Sequence, residues 1–247
     1  MKTGREWFGL VLLDMKLYSI SGYGDDGILD SCETYEPIAN TWKPCASMNI
    51  MRTAADAAVI NNTIYVCGGF SDNPSNTCEY YTPNTTPDKW LSIQPMLTER
   101  VGLGLVAHDG YLYAIGGYNM NNGLLKSMER YDTLTKQWIP MKNMTNNRYF
   151  LGSESFRGRL YVCGGSGDSS AQNTCETYDP ITNQWTEIAS MINYRSSFKL
   201  VAFNDSLYAM GGTNDDGLID NVEVYDYKTN KWQLTKPMPA KLYGFGV

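Results

Sequence analysis

The chain contains a single histidine, His108, among its 247 residues. Catalysis by a serine, histidine and aspartate triad would have to use that residue, and a metal site with two imidazole ligands cannot form within the chain. His108 precedes Asp109-Gly110, a pair typical of a two-residue hairpin turn. We therefore interpret His108 as an exposed turn residue, and we expect neither enzymatic activity nor a bound metal or cofactor.

Net positive charge and long apolar runs are also missing. Lysine and arginine number 20 against 26 aspartates and glutamates, which gives a net charge of −6 and an isoelectric point near 4.9. General binding to nucleic acid or to an anionic membrane needs a basic field, so neither partner is expected. No apolar run approaches the roughly 20 residues that span a bilayer, and Trp7–Leu13 is followed by Asp14 and Lys16. We interpret this stretch as a strand rather than a signal peptide and expect a cytoplasmic protein.

A fixed period runs through the sequence. Apart from Trp7, the tryptophans are separated from one another by 47 or 48 residues, at Trp42, Trp90, Trp138, Trp185 and Trp232. Arginines open the copies at Arg5, Arg52, Arg100, Arg148 and Arg195. Glycine doublets stand at Gly68-Gly69, Gly116-Gly117, Gly164-Gly165 and Gly211-Gly212, with Ser21-Gly22 as a weaker match. Tyrosines follow at Tyr35, Tyr81, Tyr131, Tyr178 and Tyr225. Features registered at such a period indicate tandem repeats.

Each copy carries the pattern of four short strands. In the third copy, Leu103–His108 and Tyr111–Ile115 are apolar runs joined by Asp109-Gly110, and two further strand patterns follow. A period of this length with four strands and no helical periodicity is typical of a β-propeller blade. The first strand of each copy is rich in small residues and should lie innermost, where the blades converge. These innermost strands are predicted at residues 8–13, 54–60, 102–107, 150–156 and 197–203.

A second strand ending in Gly-Gly, then a tyrosine, a tryptophan about seven residues later and a methionine recur behind each leading arginine. Over residues 5–247 this pattern resembles the Kelch repeat, most closely the Kelch domains of BTB-Kelch proteins. The resemblance implies an all-β propeller that recognises a client protein or peptide. Separate BTB and BACK domains, which this chain lacks, would dock cullin-3 for ubiquitin transfer. Other Kelch propellers bind actin, so an actin-binding or cytoskeletal scaffold is the alternative function.

The number of repeats differs from the six blades that are usual in that family. Five copies are complete, at about residues 5–48, 52–96, 100–144, 148–191 and 195–238. Leu242–Val247 looks like one more first strand, with Leu242 in the place of the arginine. We therefore predict a single Kelch propeller domain over residues 1–247, with five complete four-stranded repeats and an extra strand, as a fragment of a six-bladed ring. A closed ring of five blades is the alternative.

Strand alternation places the loops after the glycine doublets on one face, together with the connections between blades. Loops on a rigid scaffold are where binding sites usually lie. The resemblance implies partner contacts there from Arg52, Arg100, Arg148 and Arg195, and from the residues after the doublets, Tyr23, Phe70, Tyr118, Ser166 and Thr213. The arginines should form a basic ring around the channel mouth. Alternatively, each arginine braces its loop through hydrogen bonds to carbonyl groups.

The same loops contain six aspartates farther from the axis: Asp25, Asp26, Asp72, Asp168, Asp215 and Asp216. We therefore predict a face that is basic at its centre and acidic at its rim, with Asp215 and Asp216 among the partner-binding residues. A complementary client would present a carboxylate or phosphate flanked by basic residues, since arginine pairs with anions and the rim repels acids. Alternatively, the aspartates only shape their turns.

The chain has six cysteines: Cys32, Cys45, Cys67, Cys78, Cys163 and Cys175. Cys67 with Cys78, and Cys163 with Cys175, lie on adjacent predicted strands and could approach one another. Because no secretory signal is recognised, we expect reduced thiols in the core. No cysteine or histidine spacing indicates a zinc site.

Overall fold

The computed structural model describes residues 1–246, and this range contains strands and turns but no helix. Five antiparallel sheets have four strands each, and in every sheet the strands lie side by side in chain order. Three two-stranded hairpins stand apart from these sheets. The predicted all-β architecture of five four-stranded blades is confirmed.

The strands are numbered β1 to β26 in chain order. The first strands of the blades are β1 (Gly9–Leu13), β7 (Asp56–Ile60), β11 (Gly104–His108), β17 (Gly152–Phe156) and β21 (Lys199–Phe203). The second strands are β2 (Lys16–Ile20), β8 (Thr63–Cys67), β12 (Tyr111–Ile115), β18 (Arg159–Cys163) and β22 (Ser206–Met210). The third strands are β5 (Cys32–Glu36), β9 (Cys78–Tyr81), β15 (Met128–Asp132), β19 (Cys175–Asp179) and β25 (Val222–Asp226). The fourth strands are β6 (Thr41–Cys45), β10 (Leu91–Ile93), β16 (Gln137–Met141), β20 (Gln184–Ile188) and β26 (Lys231–Leu234). The hairpins are β3 (Tyr23–Gly24) with β4 (Gly27–Ile28), β13 (Tyr118–Asn119) with β14 (Gly123–Leu124), and β23 (Thr213–Asn214) with β24 (Gly217–Leu218).

The first strand of each blade lies at the centre, as its small residues predict. Successive first strands contact one another from β1 through β7, β11 and β17 to β21. The approach is close, because a Cβ on Gly9 would come within 2.7 Å of the Ala57 Cβ, and one on Gly104 would meet the Ser153 side chain. The strands begin one or two residues later than predicted, since the residue two places after each repeat arginine has a positive φ.

Apolar side chains fill the spaces between consecutive blades. Repeat tyrosines and tryptophans pack there together, and the Tyr81 and Trp90 rings stack with centroids 5.3 Å apart. Four tryptophans also donate the indole N–H to a carbonyl of the preceding blade, at 2.8 or 2.9 Å: Trp90 to Ala46, Trp138 to Gln94, Trp185 to Lys142 and Trp232 to Ala189. These bonds fasten each blade to the one before it.

The sector between the fifth and first blades is open in the part of the chain that the structure describes. Within residues 1–246, the Trp42 indole N–H donates no hydrogen bond to a preceding blade, because this range contains no blade before the first. Residue alternation turns Leu12 of β1 and Phe203 of β21 toward this sector, and the two side chains are 61% and 63% exposed. Apolar surface that is buried between the other blades is therefore uncovered here.

The turns that lead into the first strands form a closed ring of backbone hydrogen bonds. The members of the ring are, in order, Trp7, Ala54, Gly102, Phe150, Ser197 and Gly244, and each N–H donates to the carbonyl of the previous member. Trp7 closes the ring by donating to the Gly244 carbonyl, and the six bonds measure 2.7 to 3.0 Å. Five members come from blades, and the sixth comes from the C-terminal segment. This segment therefore occupies the place of a sixth first strand.

The predicted extra strand at Leu242–Val247 is wrong for residues 242–246, which form no strand, and Val247 lies outside the described residues. A strand needs a neighbouring strand to pair with, and within residues 1–246 no strand pairs with this segment in a sheet. The hypothesis that the chain is a fragment of a six-bladed ring stays a prediction.

All six cysteines are paired, so the expectation of reduced thiols is wrong in this structure. Disulfides join Cys32 to Cys45, Cys67 to Cys78 and Cys163 to Cys175. The partners of each pair lie directly opposite on neighbouring antiparallel strands, with Cα atoms 4.1 to 5.2 Å apart. The register of the strands brings the two sulfurs of each pair together.

Candidate partner-binding face

The propeller has two faces of different construction. The loop face is formed by the segments after the glycine doublets, residues 22–31, 69–77, 117–127, 165–174 and 212–221, and by the connections between blades. The turn face carries the turns between first and second strands and between third and fourth strands. Hairpins β3–β4, β13–β14 and β23–β24 all belong to the loop face. The loop face therefore has the larger and more varied surface.

The repeat arginines do not reach the surface of the loop face. Arg52, Arg148 and Arg195 are 0% exposed, and Arg100 is 1% exposed. Each guanidinium lies beneath the loop of its own blade. The predicted accessible basic ring is therefore wrong, because the arginines serve as internal braces, which was the alternative interpretation.

Arg100 shows the arrangement. Its Nη1 donates to the Gly116 carbonyl at 2.7 Å and to the Ser127 carbonyl at 2.9 Å, which are the two ends of the loop. Its Nη2 and Nε donate to Glu129 Oε1 at 3.0 and 3.1 Å. Glu129 also accepts from two backbone N–H groups in the connection from the preceding blade, at 2.6 and 3.1 Å. One ion pair thus joins the loop, the connection and the third strand.

The same buried ion pair recurs in all five blades. The pairs are Arg5–Glu33, Arg52–Glu79, Arg100–Glu129, Arg148–Glu176 and Arg195–Glu223, with Nη2 to Oε1 distances of 2.7 to 3.0 Å. Burial lowers the pKa of Arg100, and the charge of Glu129 opposes that change; the guanidinium stays cationic. These glutamates were not predicted from the sequence, although each stands two residues before a repeat tyrosine. They give the loops fixed bases.

The residues after the glycine doublets lie at the inner edge of the loop face. Each pairs with the residue that follows a repeat arginine, as where Val101 and Tyr118 exchange two backbone hydrogen bonds of 2.9 Å. Tyr23 and Tyr118 are 46% and 37% exposed. The other three, Phe70, Ser166 and Thr213, are half-buried. The structure brings these five positions to one surface, and their role in binding stays a proposal.

A chain of aromatic rings crosses the centre of the loop face. Ring centroids are 6.0 Å apart for Tyr118 and Tyr149, 4.0 Å for Tyr149 and Phe150, 6.0 Å for Phe150 and Trp7, and 5.7 Å for Trp7 and Tyr243. We call these five side chains the aromatic mouth. Only Tyr118 was predicted from the sequence. The other four stand one or two places after a repeat arginine or its equivalent Leu242, a signal that was present but unused.

The channel beneath the aromatic mouth is narrow. It contains a cavity of about 60 Å³ under the mouth and a second of about 230 Å³ deeper along the axis. Asp56, Glu154 and Lys199 line the deeper cavity. Burial raises the pKa of Glu154 to about 7, and the charge of Asp56 adds to the rise. Both spaces are smaller than usual ligand pockets, so a peptide partner would lie on the loop face rather than in the channel.

The loop aspartates are exposed, and two pairs of them occupy hairpin tips. Asp25 and Asp26 lie between β3 and β4, and Asp215 and Asp216 lie between β23 and β24. Because the arginines are buried, the face has an aromatic centre and an acidic rim instead of the predicted basic centre. The expectation of a client that presents a carboxylate or phosphate to exposed arginines is therefore corrected.

His108 is not exposed as predicted, since its side chain is 8% exposed. Its Nδ1 lies 2.9 Å from Ser155 Oγ, so it links the third and fourth blades. Within residues 1–246, no group of three or more histidine, cysteine, aspartate or glutamate side chains is placed to hold a metal ion. The same range contains no helix with the length and apolar character needed to cross a membrane.

The comparison with protein families agrees with the fold. The family model of the KLHDC2/KLHL20/DRC7 Kelch-repeats domain matches residues 54–244. The protein is thus a Kelch β-propeller. The chain belongs to the Kelch-repeat family.

Relatives are similar over part of their length. The chain is 35% identical to Kelch-like protein 33 of Homo sapiens over 105 residues, which are 41% of this chain and 19% of that protein. It is 36% identical to beta-scruin of Limulus polyphemus over 80 residues, 32% of this chain and 8% of that protein. The matched part is therefore less than a fifth of either relative. The solved structure of YjhT covers 94% of this chain and 84% of its own, with a TM-score of 0.81 at 14% identity, which supports the fold alone.

Proposed function

We propose that this propeller is a protein-interaction module that holds a client protein or peptide on its loop face. The aromatic mouth carries the proposal, because well-placed aromatic side chains contribute much of the energy at protein interfaces. The buried arginine and glutamate pairs hold the loops in place, so little conformational entropy would be lost on binding. The module performs no catalytic step and needs no cofactor.

Within this class, the chain is the client-recognition part of an adaptor for a cullin-3 ubiquitin ligase. Support comes from the similarity to Kelch-like protein 33 and to Kelch-like ECH-associated protein 1B of Danio rerio, the latter 33% identical over 73 residues, which are 28% of this chain and 12% of that protein. BTB and BACK domains would make the contact with cullin-3, so the task of this chain is recognition. A cytoplasmic location is part of the same proposal.

Site-specific photocrosslinking tests the proposed function. A benzoylphenylalanine replaces Tyr118 in the aromatic mouth, and a matched variant carries it in place of Leu134, which is 89% exposed on the turn face. Both variants are irradiated in cell extract, and the captured proteins are identified by mass spectrometry. Unchanged melting temperatures show that both variants are folded.

We expect position 118 to capture a defined set of proteins that position 134 does not. Ubiquitin-ligase substrates among them, with polyubiquitin chains, would support the adaptor function. Equal capture at both positions would contradict the assignment of the loop face.

An actin-binding or cytoskeletal scaffold is the second candidate function. The resemblance to actin-binding Kelch propellers suggests it, and the identity of 36% with beta-scruin over 80 residues adds to it. Cosedimentation with filamentous actin separates the two functions. Saturable cosedimentation that Tyr118→Ala weakens would favour the scaffold, and absence of binding would remove it.

A further inference from the structure

A groove of about 340 Å³ opens on the loop face between the loops of the fourth and fifth blades. Asp168 and Asp215 belong to opposite sides of this groove, and Ser166, Ser196 and Thr213 contribute to its lining. We propose that the groove binds an arginine or lysine side chain of a partner segment. That segment would be the client of the proposed function, on which the inference rests.

The two aspartates are available for a ligand. Asp168 accepts one hydrogen bond, from Asn147 Nδ2 at 2.8 Å. Within residues 1–246, neither Asp168 nor Asp215 forms an ion pair. The turn that carries Asp215 is stabilised by Asn214, whose Oδ1 accepts from the Asp216 N–H at 3.0 Å. Shaping the turn is therefore not the task of the Asp215 carboxylate.

The chemistry of the lining matches a cation rather than an anion. Two carboxylates and several hydroxyl groups supply acceptors, and a guanidinium is a planar group with five donors and no acceptor. Asp216, which is exposed and adjoins Asp215, adds to the attraction. Exposed lysines also lie in the loops and connections on this side of the propeller, among them Lys126, Lys142, Lys236 and Lys241. The repeat arginines do not weaken the acidic field, since each is neutralised by its buried glutamate.

The groove adjoins the aromatic mouth. Tyr149 and Ser166 exchange two backbone hydrogen bonds of 3.1 and 2.6 Å, and the Tyr149 ring leads on to Tyr118. Among the described residues, a side-chain cation lies over the rings of Tyr111, Phe156, Tyr227 and Phe198, and none lies over a ring of the aromatic mouth. Tyr118, which is 37% exposed, is therefore available to stack on a second basic side chain of the same segment.

The test uses fluorescein-labelled peptides with four basic residues separated by glycine and serine. The arginine peptide is compared with a citrulline version, which keeps the shape without the charge, and with a glutamate version. Binding is measured by fluorescence anisotropy at low and at physiological salt. Asp168→Asn with Asp215→Asn removes two charges from the groove. The matched control, Asp14→Asn with Asp109→Asn, removes two charges from the turn face.

We expect the arginine peptide to bind at least about tenfold more tightly than the citrulline and glutamate versions at low salt. The groove variant should weaken it by about 3- to 20-fold, as for two partly exposed ion pairs, and the control variant should bind as the wild type does. Salt should reduce the difference. Equal affinity for the glutamate peptide, or equal losses in both variants, would overturn the inference.

Failure of this inference is distinguishable from failure of the proposed function. A protein captured by crosslinking at position 118 through an acidic segment would leave the interaction module standing and would exclude the cationic client. Equal capture on both faces would instead remove the module itself.

Discussion

Glu129→Gln is the sharpest perturbation of the buried arginine braces. The substitution keeps the shape of the side chain but removes its charge and one of its two acceptor oxygens. Arg100, which is 1% exposed, would then keep its bonds to the Gly116 and Ser127 carbonyls and lose its counter-charge. One backbone N–H of the preceding connection would also face an amide N–H₂ group instead of an oxygen.

The expected loss follows from the burial of this pair. Breaking a buried ion pair by removing one partner costs about 3 to 5 kcal/mol, because an uncompensated charge remains in the interior. Domains are commonly stable by only about 5 to 15 kcal/mol, so the loss is a large part of the total. At a urea dependence of about 2 to 3 kcal/mol per M, the upper part of the usual range, the unfolding midpoint should fall by about 1 to 2.5 M.

Urea unfolding followed by tryptophan fluorescence measures this loss. The matched control is Glu36→Gln, which removes a surface carboxylate that is 26% exposed and pairs with Lys43 Nζ at 2.8 Å and Lys16 Nζ at 3.3 Å. Its midpoint should change much less, because surface ion pairs contribute little to stability. A Glu129→Gln midpoint equal to that of the wild type, with an unchanged slope, would refute the assignment of Arg100 as a buried brace that depends on Glu129.

Three further outcomes are expected. Burial raises the pKa of Glu154 to about 7, above its ordinary value of 4.5, so the stability that the protonated group contributes below the ordinary value is lost as the pH rises through about 7. Glu154→Gln should therefore make thermal unfolding less dependent on pH and should be more stable than the wild type by up to about 3 kcal/mol near pH 8. Equal pH slopes of the two proteins would contradict this. Trp42→Phe should remove more acrylamide-quenchable fluorescence than Trp90→Phe, since Trp90 is 1% exposed; the reverse order would mean that the first blade is covered. Reduction should lower the free energy of unfolding by about 2 to 4 kcal/mol per disulfide. In the variant Cys67→Ala with Cys78→Ala, reductant should lower the free energy of unfolding by less than in the wild type. An equal effect of reductant on both proteins would show that this bond is not formed.

The blades could be predicted because every copy repeats the same packing. Trp90 and its equivalents each fill the space toward the preceding blade, so their spacing reports the period directly. The C-terminal segment was predicted less well. Leu242 has the position of a repeat arginine, but strand formation also depends on a neighbouring strand, which the segment's own sequence does not contain.

The segments that form the loop face were predicted correctly, but the central charge of this face was not, and partner binding there stays a prediction. A periodic arginine is compatible with an exposed ring and with a buried brace, and Arg100 alone does not distinguish them. Glu129 and its equivalents recur with the same period, and this second series is the signal for internal ion pairs. The aromatic mouth was missed for a different reason. Trp7, Phe150 and Tyr243 stand at recurring positions after the repeat arginine or its equivalent, but the residue type at these positions changes from blade to blade.

The central claim is that a partner contacts the loop face and its aromatic mouth while the buried arginines only hold the loops. Hydrogen exchange with mass spectrometry tests it most directly, on the protein alone and with the partner segment recovered by crosslinking at position 118. We predict protection on binding in residues 117–127 and 165–174, and none in the turn at Asp109-Gly110. Protection confined to the turn face, with the loop segments exchanging as in the free protein, would contradict the claim.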